Sequence, residues 1–253
     1  MLDIAAMTEI LNNAIPPDLE PAAKLPGVRP LGDASWLTVD DAYAAQVDYR
    51  RKLIATRRDA VFWQSDTATD AVAELHDAAV QLLPALGFSV TARHIFCPDG
   101  VELDREADNP LVTLGKAVQE DICILQKQGD EHVLTAAVLC FPAGWTLAEK
   151  GGRALSHIHA PVDVYDDTMA RRVQRMFNAV RPDSPLWRNN YLYYDNADLF
   201  QPLTEAEAAT RRTCTNPQTA PYIRAERQSI LRLPKTQALV FSIHTYVAKA
   251  QTA

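Results

Sequence analysis

Helical periodicity is clearest in the first half of the chain. In VDDAYAAQVDYRRKLIATR, the apolar residues Tyr43, Val47 and Leu53 recur near helical spacing, and Thr38 is a suitable N-cap. A second helix is predicted to begin at residue 66 or 67 and to continue through AVAELHDAAVQLLPAL. Residues 168–180 form a later amphipathic segment with its apolar side chains on one face. These segments predict three main helices.

Strand-like runs dominate the rest of the chain. AVQEDICILQ and HVLTAAVLCF are separated by KQGDE, whose Gly129 and Asp130 suit a hairpin turn. Three further runs are rich in β-branched and aromatic residues, namely LWRNNYLYYD, YIRAERQSILRL and QALVFSIHTYVAKA. Helices followed by antiparallel strands predict an α+β fold, with a sheet covered mainly on one face and a cofactor pocket between sheet and helix.

The opening 35 residues differ in composition from the rest of the chain. They contain five prolines, which favour an extended arm wrapped on a domain over a packed unit. The chain is therefore divided into an arm at residues 1–35 and a single domain at residues 36–253.

Composition narrows the classes of partner. With 253 residues, 47% of them apolar, the chain can bury a substantial core, and its net charge of −7 argues against nucleic acid. The four cysteines form no C-x-x-C pair, so neither a zinc ribbon nor an iron–sulfur cluster is predicted. The sequence shows neither a signal peptide nor 18 uninterrupted apolar residues, which predicts a cytoplasmic protein without a membrane partner.

The segment SHIHAPVDVY contains a histidine pair, His157 and His159. On an extended backbone the two imidazoles would point the same way. Together with Glu226 and His244 they could bind a non-haem metal, since two histidines and a carboxylate leave positions open for oxygen. One of them could instead be the axial ligand of a haem, or both could be unremarkable. The spacing alone leaves these alternatives open.

A second set of candidate residues lies on two of the strands. Alternation places Arg224, Glu226 and Gln228 on one face of YIRAERQSILRL, and it places Arg188 and Asn190 together on the preceding strand. Consecutive polar residues on one face of a half-buried sheet need water, a partner or a polar ligand. This face is either solvated, with an Arg–Glu pair across it, or it lines a cofactor pocket.

Several segments together resemble the alpha-subunit family of haem-dependent oxidative N-demethylases, which have a PAS-like haem domain. The similarity extends from about residue 36 to 247. Its residues, in order along the chain, are Trp36, Asp40 and Tyr43; Gln119-Glu120-Asp121; Phe141-Pro142 and Trp145; Lys150 and Gly152; Ile158-His159-Ala160-Pro161-Val162 and Tyr165; Trp187-Arg188 and Asn190; Arg224, Glu226-Arg227-Gln228 and Arg232-Leu233-Pro234; and Phe241, Ile243 and Thr245-Tyr246.

The resemblance implies a role for individual residues. It marks His159 as the proximal ligand of a haem b iron, with the opposite face of the haem free for oxygen. It implies Glu226 as a carboxylate that holds an ammonium or takes its proton, and Arg224 as a polarising cation. Arg188 and Arg232 are expected to pair with the haem propionates, and Asn190 is expected to contact the cofactor. The implied fold is a PAS-like antiparallel sheet with flanking helices and an N-terminal helical extension.

The implied reaction is an O₂-dependent N-dealkylation of a small secondary amine. Electrons would come from a separate reductase subunit carrying FMN and a 2Fe–2S cluster, because the chain has neither a Gly-rich nucleotide loop nor a cysteine cluster. A haem-based gas or redox sensor is the alternative, since PAS-like folds also serve sensing. Three residues depart from the usual pattern of the family, with Asp163 replacing proline, Tyr191 replacing tryptophan and His244 replacing arginine.

Overall fold

A computed structural model of the chain describes residues 9–19, 27–159, 167–211 and 213–250, without the side chains of residues 159 and 167–170. Its helices are α1 (Tyr43–Thr56), α2 (Arg58–Val61), α3 (Thr69–Leu82), α4 (Pro110–Ala117), α5 (Leu147–Lys150), α6 (Leu155–His159), α7 (Asp167–Ala179) and α8 (Glu205–Ala208). Its strands are β1 (Arg29–Pro30), β2 (Phe62–Gln64), β3 (Ser89–Val90), β4 (His94–Phe96), β5 (Glu102–Asp104), β6 (Asp121–Gln128), β7 (Glu131–Val138), β8 (Leu186–Tyr194), β9 (Tyr222–Arg232) and β10 (Leu239–Lys249).

Seven strands form one antiparallel sheet in the order β1-β8-β9-β10-β6-β7-β2, and β3-β4-β5 form a small second sheet. The mixture of helices with antiparallel sheets confirms the predicted α+β class. The hairpin between β6 and β7 also forms as predicted, with Gly129 at a φ of +61° in its turn.

Helices cover both faces of the large sheet, so the prediction that mainly one face is covered was wrong. On the first face, which we call face one, Ile122, Ile124 and Val240 share a core with α1, α3 and α4. On the second, which we call face two, Cys123, Leu125, Ile230 and Leu239 share a separate core with α5, α6 and α7. Alternation along each strand supplies apolar side chains to both cores.

Two local predictions need correction. Thr38 does not cap α1, because the helix begins five residues later at Tyr43 and Ala42 occupies the N-cap position. The backbone N–H of Thr38 instead donates to Glu120 Oε1 at 2.7 Å. Residues 110–117 are helical and were missed, although Asn109 caps them by accepting from Leu111 N at 2.9 Å and Pro110 occupies the first turn. Of the N-terminal arm, Arg29–Pro30 pairs with β8 as an edge strand.

Candidate active site

The strand register brings four of the six predicted site residues together on face two. Asn190 lies directly opposite Glu226, and Arg188 lies opposite Gln228, in the β8–β9 pair. Arg224 is two residues from Glu226 on β9 and therefore shares its face. Ile230, on the same face of β9, belongs to the face-two core. The polar patch lies next to that apolar core on face two.

Arg224 and Glu226 form a buried ion pair at the centre of this patch, with 3% and 6% of their surfaces exposed. Arg224 Nε donates to Glu226 Oε1 at 3.3 Å, while its other two nitrogens donate to the carbonyls of Leu199 and Phe141 at 3.1 and 2.5 Å. Gln228 Nε2 donates to Glu226 Oε2 at 2.9 Å. The carboxylate is thus fixed in place while each of its oxygens keeps capacity for one more donor.

Arg188 is the cation of this patch whose hydrogen bonding is incomplete. Burial lowers the pKa of its guanidinium, and the nearby charge of Glu226 opposes that effect. Its Nε is buried and has no hydrogen-bond partner in the described part of the chain. A buried guanidinium N–H normally has a partner, so Arg188 has unused capacity for an anion.

Arg232 lies on the same face of β9 as Glu226 but at the C-terminal end of the strand, whereas Glu226 is near its middle. Its three guanidinium nitrogens donate to the carbonyls of Phe177, Val180 and Gln237 at 2.6 to 2.7 Å. The first two carbonyls belong to the C-terminal end of α7, where unpaired carbonyls attract cations. Its pairing with a propionate stays a prediction, and its described contacts are those of a helix cap.

The histidine pair lies on a helix, so the expectation of an extended backbone was wrong. The alternation of an extended strand, which would have aligned the two imidazoles, therefore does not apply to this segment. His157 is exposed. The side chain of His159 and residues 160–166, which include Asp163, lie outside the described part of the structure, so His159 as the iron ligand stays a prediction.

Helix α6 lies over face two, because Leu155 and Ile158 join that core. The residues before it are pinned to β7, where Gly152 N donates to the carbonyl of Leu134 at 2.9 Å. A Cβ at Gly151 would lie 2.7 Å from the Trp63 ring, so only glycine permits this approach. The backbone of residue 159 therefore ends a helix on the same side of the sheet as Glu226.

His244 is on face one, opposite to Glu226, because it pairs with Arg227 and not with Glu226. It is 2% exposed, and its Nδ1 and Nε2 lie 2.9 Å from Glu120 Oε1 and 3.1 Å from Asp40 Oδ2. Burial alone would lower its pKa, but the hydrogen bonds to Asp40 and Glu120 raise that pKa to about 9. Both ring nitrogens are occupied, so His244 is not a competing iron ligand.

The non-haem metal site that combines Glu226 with His244 is therefore wrong, because the two side chains lie on opposite faces of the sheet. No group of three or more His, Cys, Asp or Glu side chains that could hold a metal ion occurs among the residues whose placement is described. Within the same residues, no helix combines the length and the apolar character needed to cross a membrane.

The segment Gln119-Glu120-Asp121 has a structural role that the sequence reasoning missed. Asp121 Oδ1 accepts from Arg50 at 2.6 Å, and both residues are fully buried. Arg50 also donates to the carbonyls of Gly115, Gln119 and Glu120 at 2.7 to 3.1 Å. The sequence feature that could have revealed this role is the position of Arg50 between Val47 and Ile54 on the buried face of α1. A buried charge at such a position requires polar partners.

One comparison with known protein families gives a match that covers most of the chain. The family described as haem-dependent oxidative N-demethylase, alpha subunit-like, matches residues 27–252.

Proposed function

The chain belongs to the haem-dependent oxidative N-demethylase, alpha subunit-like family, and from this premise we propose that it oxidises a small secondary amine at a haem on face two. The proposed reaction removes a methyl group as formaldehyde. It consumes one O₂, two electrons and two protons, and it releases one water together with the demethylated amine. The family name supports the haem and the N-demethylation, whereas the secondary amine, the O₂ and the electron source belong to the proposal.

The observation that carries the proposal is the unpaired Nε of Arg188. A half-buried guanidinium whose buried Nε has no partner, beside the Arg224–Glu226 ion pair, fits a carboxylate supplied by a ligand. Haem carries two such propionate groups. The residues of face two therefore fit the cofactor that the family name implies.

We assign a cofactor contact to each of four residues. Arg188 would hold one propionate, Arg232 would hold the other with the N–H groups that its backbone contacts leave free, and Asn190 would line the cofactor pocket. His159, at the end of α6, would bind the haem iron. The bound haem supplies the redox chemistry, namely the reductive activation of dioxygen and the oxidation of the amine.

Glu226 is proposed to bind the substrate ammonium and to take its proton. A buried carboxylate with spare acceptor capacity favours a cation, and its fixed position favours one orientation of the amine. The contacts of Arg224 support a role in holding Glu226 rather than the polarising role expected from the sequence, since each of its nitrogens already donates within the protein.

Electrons are proposed to come from a separate FMN and 2Fe–2S reductase subunit. The family description names an alpha subunit, which implies a partner. Burial raises the pKa of the Cys97, Cys123 and Cys140 thiols, which disfavours the thiolates that an iron–sulfur cluster needs. The four cysteines are also unpaired and scattered.

Substitution Glu226→Gln tests the proposal. The variant is expected to keep the Soret band of the bound haem and to lose most formaldehyde production from dimethylamine with NADPH and a surrogate reductase. The cause would be the loss of the carboxylate that binds the ammonium, which typically costs about a hundredfold in rate.

The control Glu102→Gln removes an exposed carboxylate from the small sheet and should leave both measurements unchanged. Loss of haem from Glu226→Gln would assign Glu226 to the structure instead. Wild-type protein that binds no haem, or that yields no aldehyde from any amine, would contradict the proposed function itself.

A further inference from the structure

Thr245 presents a second buried polar atom without a partner next to Glu226. It lies on β10 directly opposite Glu226, so the two side chains emerge on face two as a cross-strand pair. Thr245 is 1% exposed, and its Oγ1 has no hydrogen-bond partner among the residues that the structure describes. Its backbone carbonyl is occupied, since it accepts from Gln46 Nε2 at 3.1 Å.

A buried hydroxyl without a partner is unfavourable for the protein alone. It loses its hydrogen bonds to water and gains none in return, whereas a valine of the same shape carries no such cost. A polar group of a bound ligand would remove the deficit. The neighbouring Arg188 Nε is unpaired in the same way, so the two orphaned atoms flank Glu226.

We propose that Thr245 is a substrate-binding residue that selects protonated amines with at least two N–H bonds. Its hydroxyl accepts one N–H of the ammonium while Glu226 accepts the other. This inference rests on the proposed function, because it concerns the amine that Glu226 would bind. A protonated secondary amine has the two N–H bonds required, whereas a protonated tertiary amine has one, which Glu226 alone can accept.

The cross-strand geometry suits this double contact. Side chains directly opposite each other in an antiparallel pair have Cβ atoms roughly 4.5–5.5 Å apart. Because Thr245 and Glu226 are paired in this way, one ammonium bound beside the Glu226 carboxylate also lies within reach of the Thr245 hydroxyl.

The test compares Thr245→Val with Thr245→Ser and with Ser242→Ala in the haem-loaded protein. Ser242 lies on the same strand, and its side chain is on face one, where it contacts the carbonyl of Trp36 at 3.5 Å. Dissociation constants are measured by calorimetry at pH 7 with dimethylammonium and trimethylammonium chloride. Melting temperatures are measured without amine.

Thr245→Val is expected to weaken dimethylammonium binding by about tenfold or more, from the loss of one hydrogen bond to a charged group, and trimethylammonium binding by less than about twofold. The same variant is expected to melt no lower than the wild type, because it removes an unsatisfied hydroxyl. Thr245→Ser and Ser242→Ala should retain the wild-type preference between the two amines.

The other possible outcomes show whether the role of Thr245 or the proposed function is wrong. Equal weakening of both amines, an unchanged preference, or a lower melting temperature without a change in binding would overturn the role of Thr245 while leaving the proposed function in place. Wild-type protein that binds neither amine would contradict the proposed function, and the inference would fall with it.

Discussion

Arg188, which is half-buried, and His244, which is buried, are cationic positions on opposite faces of the sheet, and they differ in how fully they are paired. His244 lies between Asp40 and Glu120, so two carboxylates surround one imidazole. Among the residues that the structure describes, Glu226 is the carboxylate that acts on Arg188, and the Arg188 Nε has no partner. A cation that already has two anionic partners attracts no third, whereas Arg188 has capacity for an anionic ligand.

The departure from the family pattern at residue 244 has a physical reason. The sequence resemblance expects arginine there, and the two carboxylates around the position require a cation of some kind. His244, with its pKa raised to about 9, supplies that charge at neutral pH. His244 therefore lies on the face of the sheet opposite to Glu226, away from the proposed substrate site.

At the residue scale, Arg188→Gln is predicted to release haem faster than the wild type. Loss of one charge-assisted contact to a propionate corresponds to about a tenfold change or more. The measurement is the rate of haem transfer to an excess of apomyoglobin. Arg227→Gln is the matched control, since Arg227 lies on face one, over the Trp187 ring. Equal rates in all three proteins would refute the propionate assignment.

Helix α7 packs on the apolar part of face two, and two polar contacts fix it to the sheet. Arg232 holds the carbonyls of its C-terminal end. His132 on β7 places Nδ1 at 2.7 Å from Gln174 Oε1 and packs edge-on against Phe177 at 5.5 Å between ring centres. The sequence reasoning assigned no role to His132, because its partner is 42 residues away.

At the element scale, acid is predicted to loosen α7. Burial lowers the pKa of His132 below its ordinary value of 6.5, and nearby Arg232 and Lys127 act in the same direction, against the hydrogen bond that His132 donates to Gln174. Protonation therefore favours the open state, so the stabilisation is present above about pH 6.5 and declines as the pH falls below it.

Amide hydrogen exchange, corrected for the intrinsic pH dependence of exchange, measures the predicted loosening of α7. Between pH 7 and 5, α7 should lose protection while α1 retains it. His132→Gln should make the protection of α7 independent of pH over this range. Equal loss of protection in α7 and α1 would instead indicate global unfolding.

Buried polar contacts on face one connect segments that are far apart in the chain. Asn12 donates to Asp40 at 2.7 Å and to Asp41 at 3.0 Å, and its backbone N–H donates to the carbonyl of Val247 at 2.7 Å. Asp40 in turn contacts His244 and Gln119. The beginning of the described chain, the start of β6 and the last strand are thereby joined. Removing one charge from such a network leaves the others buried and unpaired.

At the scale of the whole molecule, the free energy of unfolding is predicted to fall at alkaline pH. The pKa of His244 rises from 6.5 to about 9 on folding, which corresponds to about 3 kcal/mol. Because the folded-state pKa is the higher one, this stabilisation is complete below about pH 6.5 and is lost as the pH rises through about 9.

Urea denaturation at intervals from pH 6 to 10 measures this loss. His244→Asn should be less stable at neutral pH and should lack most of the decline seen in the wild type. A wild-type stability that stays constant up to pH 9.5 would contradict the assignment of a charged His244.

The sequence predicted the five longest strands and the three main helices, because alternation and helical periodicity are local properties of the backbone. It also placed Arg224, Glu226 and Gln228 on one face for the same reason. It missed α4 and α6, since segments of eight and five residues contain too few helical turns to show a period. Because α6 was missed, an extended backbone was wrongly predicted for His157 and His159.

By itself, then, the sequence determined the α+β class, the faces of each strand and the family that its ordered motifs resemble. Only the tertiary structure decided which polar side chains meet. Glu120 and His244 are 124 residues apart in the chain, and Thr245 meets Glu226 only through the register of β9 with β10. Such pairings depend on strand register and on burial from both faces of the sheet, and neither is a local property of the chain.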